Sequence, residues 1–226
     1  DTFNLMMKTR DPELIWDMLQ RRVRRTQGFV CHFTLAEFNR IMDGLENNST
    51  SDLRNAAKDL KEERQQLKRL RRQELMALRR VPYDIAIERN TWFHLGANSN
   101  QQLLYTLQRM LEPIKEHVDN SFTPLSPALC KEFQPMRRAI NDLTKATADD
   151  IDTNKYDNYR EILAQADACK DELSVLRKQH IDRMQAHADA SQLQIDLLYL
   201  NVLQESQQLL SNMRHQLRAA KKFMED

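Results

Sequence analysis

Between residues 129 and 143 the apolar side chains Leu129, Phe133, Met136, Ile140 and Leu143 recur four, three, four and three positions apart. An α-helix turns once in about 3.6 residues, so this spacing lays one apolar stripe along one side of a rod. The same beat runs through Leu53, Ala57, Leu60 and Leu67, through Leu104, Leu107, Leu111 and Ile114, and through Leu203, Leu210, Met213 and Leu217. A hairpin architecture would need alternating apolar residues and turn formers. This chain of 226 residues has three glycines, and good helix formers dominate it. The class is all-α.

Punctuation divides the stripes into rods. Asp11-Pro12-Glu13 combines a capping acid, a proline suited to the first helical position and an acid in the first turn, so a short helix opens there and runs towards Gln27. Gly28 is expected to interrupt or bend it. A second stretch carries Val30, Phe33, Phe38, Ile41 and Leu45 and ends in the polar cluster 47–51, with Ser51 or Asp52 starting the next helix. Val81-Pro82 ends or kinks that helix. Pro113 lies inside the following apolar pattern, where an unrelieved proline costs about 3 kcal/mol, and predicts a kink. Residues 147–154 read as a polar break. Tyr159 to Leu176 and Leu193, Leu197, Leu200 to Leu217 supply the last two stripes. Rods of about 20 to 35 residues would be about 30 to 50 Å long.

Sliding the chain against itself by 106 residues brings Leu67-Lys68-Arg69-Leu70-Arg71-Arg72-Gln73 onto Leu173-Ser174-Val175-Leu176-Arg177-Lys178-Gln179. At the same offset Gln101-Gln102-Leu103-Leu104 falls on Gln207-Gln208-Leu209-Leu210, and Phe93 falls on Tyr199. One register serving two separate helices predicts a duplicated unit. The expected architecture is two tandem antiparallel three-helix bundles, 1–122 with the short extra N-terminal helix and 123–226.

Charge and cysteine usage narrow the classes further. Net charge is +1, so no global field holds a polyanion. Two basic clusters, Arg21 to Arg25 and Lys68 to Arg80, read as solvated helix faces compensated by nearby acids. No aromatic residues are interleaved with them for base stacking, so nucleic acid is not an expected partner, and an anionic membrane surface suits Arg21 to Arg25 better. Cys31, Cys130 and Cys169 are odd in number and far apart, which predicts free thiols in a reducing compartment. The longest run without Lys, Arg, Asp or Glu, 90–108, is too rich in Asn, Gln, Ser and Thr for a bilayer core. With neither a signal peptide nor an initiator Met, the chain reads as a piece of a longer polypeptide whose membrane part lies elsewhere.

Catalytic chemistry finds little purchase. None of the six histidines follows Glu at three residues, and zinc spacings and phosphate-cradling glycine loops are missing. His94, in Trp92-Phe93-His94, reads as a partly buried histidine among aromatics. Asp167 and Asp171 share a helix face at i, i+4 and are the candidate metal ligands, against the alternative of solvated surface acids. The expectation is a protein without enzymatic activity and without a cofactor. A metal-dependent bundle enzyme and a structural coiled-coil adaptor are the alternatives.

Two tandem three-helix bundles resemble PhoU-type domains. Glu88-Arg89-Asn90-Thr91-Trp92-Phe93-His94-Leu95-Gly96 is similar to segments of such domains fused to transporters. So are Leu198-Tyr199-Leu200-Asn201-Val202-Leu203-Gln204-Glu205, Met213-Arg214-His215 and Arg218-Ala219-Ala220-Lys221-Lys222-Phe223. The nearest likeness is to the C-terminal extension of bacterial PiT-type inorganic phosphate transporters, with sodium/phosphate cotransporters next. The resemblance covers the chain from about Asp11. It implies a regulatory domain on the cytoplasmic side of the bacterial inner membrane that modulates phosphate uptake. Its partner would be the transmembrane transporter domain of the same polypeptide, with a second copy of the chain as a further candidate. PhoU proteins usually carry an acid-xxx-Asp pair on two helices of each bundle to hold metal. Asp167 and Asp171 fit one such pair, whereas Glu205 is followed by Leu209, and Lys61 and Gln65 stand where the Asp pair would recur.

Overall fold

The computed structural model describes residues 1–187 and 189–225, and its regular elements are seven α-helices. They are α1 (Thr2–Lys8), α2 (Pro12–Glu46), α3 (Thr50–Leu78), α4 (Tyr83–Asp119), α5 (Pro127–Thr153), α6 (Tyr159–Ala186) and α7 (Ala190–Met224). No strand occurs among the described residues. Links of a few residues make α2, α3 and α4 successive antiparallel neighbours, and likewise α5, α6 and α7, whereas α4 and α5 do not pack on each other. Within 11–13 the expected start is in place: Pro12 opens α2, and the Asp11 carboxylate accepts from the Glu13 and Leu14 amides at 3.1 and 3.5 Å. Ser49, two residues earlier than expected, caps α3 by accepting from Asp52 N at 3.3 Å.

Two sequence expectations give way to longer helices. Gly28 neither breaks nor ends α2, so the short helix expected from Asp11 is its first half, and the separate N-terminal helix is instead α1. Gln27, Val30 and Cys31, buried on both sides of Gly28, hold that segment against neighbouring helices and outweigh the poor helix propensity of glycine. Likewise the polar stretch from Thr147 belongs to α5. Thr147, Ala148 and Ile151 are fully buried, and the Thr147 hydroxyl donates to Leu143 O at 2.8 Å, which satisfies it inside its own helix. Pro113 sits within an unbroken α4. The carbonyl that loses its amide partner there belongs to Arg109, and the Asn201 side chain of α7 donates to it at 3.3 Å.

Contacts between helices follow a simple scheme. α3 packs on α2, α4 and the short α1, and α6 packs on α5 and α7. α2, α4, α5 and α7 form the middle, where α4 lies against α7 and α2 against α5. One large apolar cluster runs through α2 to α7 and includes Phe38, Leu107, Phe133, Tyr199 and Leu210. A smaller one joins Met6, Leu19, Leu78, Phe93 and Phe223 at the end where α1 docks. Leu193 and Leu197, expected in the core, are about half exposed. α7 carries apolar residues on two faces near its start, and Ile195, Leu198 and Val202 take the inward one.

Burial repeats along the chain. Every buried residue of α5 lies 106 positions after a buried residue of α2, and every buried residue of α6 lies 106 after one of α3. Asn48 and Asn154, again 106 apart, follow α2 and α5 in the left-handed conformation, with φ of 52° and 53°.

Candidate functional site

The residues picked out by sequence lie apart from one another. Asp167 and Asp171 are both exposed on α6, and Arg214 of α7 pairs with Asp167 at 3.3 Å. Among the described residues no group of three His, Cys, Asp or Glu converges to hold a metal ion, there or elsewhere. His94 is exposed rather than partly buried, because Phe93 takes the inward position and meets the imidazole edge-on at 5.3 Å. The three cysteines are free thiols, with Cys31 and Cys169 buried. Burial raises both thiols, that of Cys169 to about 11, which keeps them protonated and unreactive.

The two basic clusters differ. On α2, Arg21 pairs with Asp17 at 3.2 Å, as a compensated face should. On α3 the expected acids are not at hand. Arg69 donates to Gln66 at 3.0 Å, Arg71 to Gln101 at 2.9 Å, and Arg80 to the carbonyls of Met6 and Thr9 at 2.7 and 2.8 Å, which ties α1 down. Among the described residues neither Arg64, Lys68, Arg71 nor Arg72 forms an ion pair.

These four cations line one cleft of about 340 Å³ between α3 and α4. Its walls are Leu67, Leu75, Ala97 and Leu104, and its floor is made by Thr26, Glu74 and Asn100, each at most 7% exposed. The floor belongs to a polar layer that separates the two apolar clusters. Along α2, Thr26 and Gln27 sit between Val23 and Val30; along α3, Glu74 sits between Leu67 and Ala77; along α4, Asn100 sits between Phe93 and Leu103. Gln216 of α7 completes the layer, donating to Asn100 Oδ1 at 2.8 Å and to Gln27 O at 3.1 Å. Thr26 donates to the Glu74 carboxyl at 2.8 Å. Burial pushes that carboxyl up to about 7, against the opposing pull of the Thr26 bond and the charge of Arg22.

At the mouth, Arg64 donates to Gln108 and lies over the Tyr105 ring with its guanidinium carbon 4.7 Å from the centroid. Hydrogen bonds from Gln101 and Arg64, reinforced by the charges of Arg64 and Lys68, lower the Tyr105 phenol pKa. The sequence reading passed over Arg64, Glu74 and Asn100. The signal was there in Glu74, which lies seven residues after Leu67 and so occupies a core phase of the α3 stripe.

Compared with protein-family models, curated proteins and solved structures, the chain matches none. Assignment of function therefore rests on the residues themselves. No helix among the described residues is long and apolar enough to cross a membrane.

Proposed function

We propose that this chain is a PhoU-like regulatory domain of an inorganic phosphate transporter, built as two tandem antiparallel three-helix bundles, 1–122 and 123–226. The observation that carries the proposal is the 106-residue register of burial. A single pair of amphipathic helices falls into phase readily, since both have the same 3.6-residue period. Here one offset serves α2 with α5, α3 with α6, and eleven of the fifteen buried residues of α7 with α4. Polar contacts keep the offset too. Arg71 donates to Gln101 and Arg177 donates to Gln207, at 2.9 and 3.2 Å. Thr106 accepts from Asn212, its own counterpart 106 positions on, at 3.2 Å. The contact scheme supports the same grouping, with α2, α3 and α4 mutually packed and α5, α6 and α7 mutually packed.

In this proposal the domain lies on the cytoplasmic side of a bacterial inner membrane, joined to the transmembrane helices that move phosphate. It acts without catalysis, by binding one transporter conformation better than another; only such differential affinity shifts a conformational equilibrium. The test is phosphate uptake by the full-length polypeptide with and without residues 1–226. Altered uptake, or a lost response to external phosphate, is the expected result. Identical uptake and response favour a structural adaptor instead, as does an encoded polypeptide without membrane-spanning helices.

A further inference from the structure

We propose that the cleft between α3 and α4 binds a phosphorylated small molecule. Its phosphates pair with Arg64, Lys68, Arg71 and Arg72, and its uncharged, hydrogen-bonding body reaches Thr26, Glu74 and Asn100. The proposal goes beyond the transporter assignment and holds whatever the chain is joined to.

Charge is the first observation. Four like charges around one opening repel one another, and among the described residues no ion pair offsets them. Guanidinium groups present forked donors that match phosphate oxygens, and two of the three arginines here are already oriented. Gln108 and the Tyr105 ring hold Arg64, and Gln101 holds Arg71.

Shape is the second. A volume of about 340 Å³ lies at the low end for small-molecule sites and exceeds what one inorganic phosphate fills. The remaining depth runs between apolar walls to a floor of a hydroxyl, a carboxyl and an amide. Sugar hydroxyls or the amino and ring nitrogens of a base are the groups such a floor can bond. A nucleic-acid backbone or a bilayer surface would engage the exposed arginines of α3 alike and leave that floor untouched.

The third observation is an internal contrast. At the positions 106 later the Arg–Gln bond persists, but Ser174 stands in place of Lys68. There the Gln207 amide donates to Ser174 Oγ at 2.6 Å and to Lys170 O at 2.8 Å, which ties α7 to α6. Gln101, its counterpart on α4, also accepts from the arginine of the facing helix, Arg71, but among the described residues its amide donates to no group of α3, and the cleft beside it stays open.

The test is isothermal titration of the 226-residue chain with ATP, ribose 5-phosphate, inorganic triphosphate and inorganic phosphate at low salt. Three variants run alongside. R64Q/R71Q removes two charges inside the cleft, R69Q/R79Q removes two on α3 outside it, and Ala97→Leu fills the cleft without changing charge. The expected result is saturable binding of ATP or ribose 5-phosphate, tighter than triphosphate or phosphate. R64Q/R71Q should weaken it by at least about tenfold, the factor for losing a charge-assisted hydrogen bond. Ala97→Leu should abolish it, and R69Q/R79Q should leave it within about threefold, as expected where only distant screened charge is lost. Circular dichroism verifies that each variant is folded. Three results overturn the proposal: no binding of any of the four, binding of triphosphate as tight as ATP and ribose 5-phosphate, or equal weakening by the two charge-matched variants.

Discussion

Glu74→Gln should stabilise the protein above neutral pH and leave it unchanged in mild acid. Folding carries this carboxyl into the polar layer at 4% exposure, and burial raises its pKa from 4.5 to about 7. The folded state therefore holds the proton more tightly than the unfolded chain. Stability from this group is fully present below about 4.5 and declines as pH rises to about 7, beyond which it stays lost. At about 1.4 kcal/mol per pKa unit, the ionised carboxylate costs about 3 kcal/mol at pH 8. Glutamine keeps the shape and still accepts from Thr26 but carries no charge to desolvate. For a chain of this size, about 2 to 4 °C per kcal/mol converts that to a gain of about 6 to 12 °C in Tm at pH 8. Thermal melts of both proteins by circular dichroism at pH 4.5, 6 and 8 measure it. Other buried acids with raised pKa values, Glu37 at about 7 and Asp150 at about 6, are common to both proteins and drop out of the difference. A Tm difference that does not change with pH would refute the reasoning.

Other substitutions probe other layers. Gln216→Ala removes the side chain that joins Asn100 to the Gln27 carbonyl and should cost about 1 to 3 kcal/mol in urea melts, since both partners stay buried. Leu107→Ala, at a fully buried position of α4, should cost about 2 to 5 kcal/mol by the same measurement. The glycines of α2 should part ways. A Cβ on Gly44 would sit 2.6 Å from Leu53 Cδ2 and 2.7 Å from its Cγ in the core, so Gly44→Ala should lose about 1 to 3 kcal/mol through overpacking. On Gly28 its one close contact would be the half-exposed carboxylate of Asp152, whose surface pair with His32 is weak enough to give, with Ile151 Cγ2 at an ordinary 3.7 Å, so Gly28→Ala should be neutral or gain up to about 1 kcal/mol of helix propensity.

Fold class could be read from the sequence because it depends on a local period, and that period survives in every long helix. The start of α2 was legible for the same reason: Asp11 and Pro12 act on amides two or three residues away. Helix continuity through Gly28 and Thr147, and the group that relieves Pro113, were not, because partners distant in sequence supply them. Asn201 serves the carbonyl that Pro113 orphans from 92 positions away. The cleft was hidden by a related ambiguity. A run such as Lys68-Arg69-Leu70-Arg71-Arg72 gives no sign of which cations face a neighbouring helix, and only the packing of α4 against α3 sorts Arg64 and Arg71 from Arg69. Charge compensation, expected for the whole cluster, failed because the partners across the cleft are glutamines, not acids.

The pairing of α4 with α7 has a kinetic side. Thr106 waits for Asn212, and Asn100 for Gln216, so a ribosome making about 5 to 20 residues per second completes α4 several seconds before its main partner exists. During that interval the side of α4 that carries Asn100 and Thr106 lacks its cover. Premature termination within α7 would leave that surface uncovered for good, and so makes a species prone to clump rather than a smaller working protein.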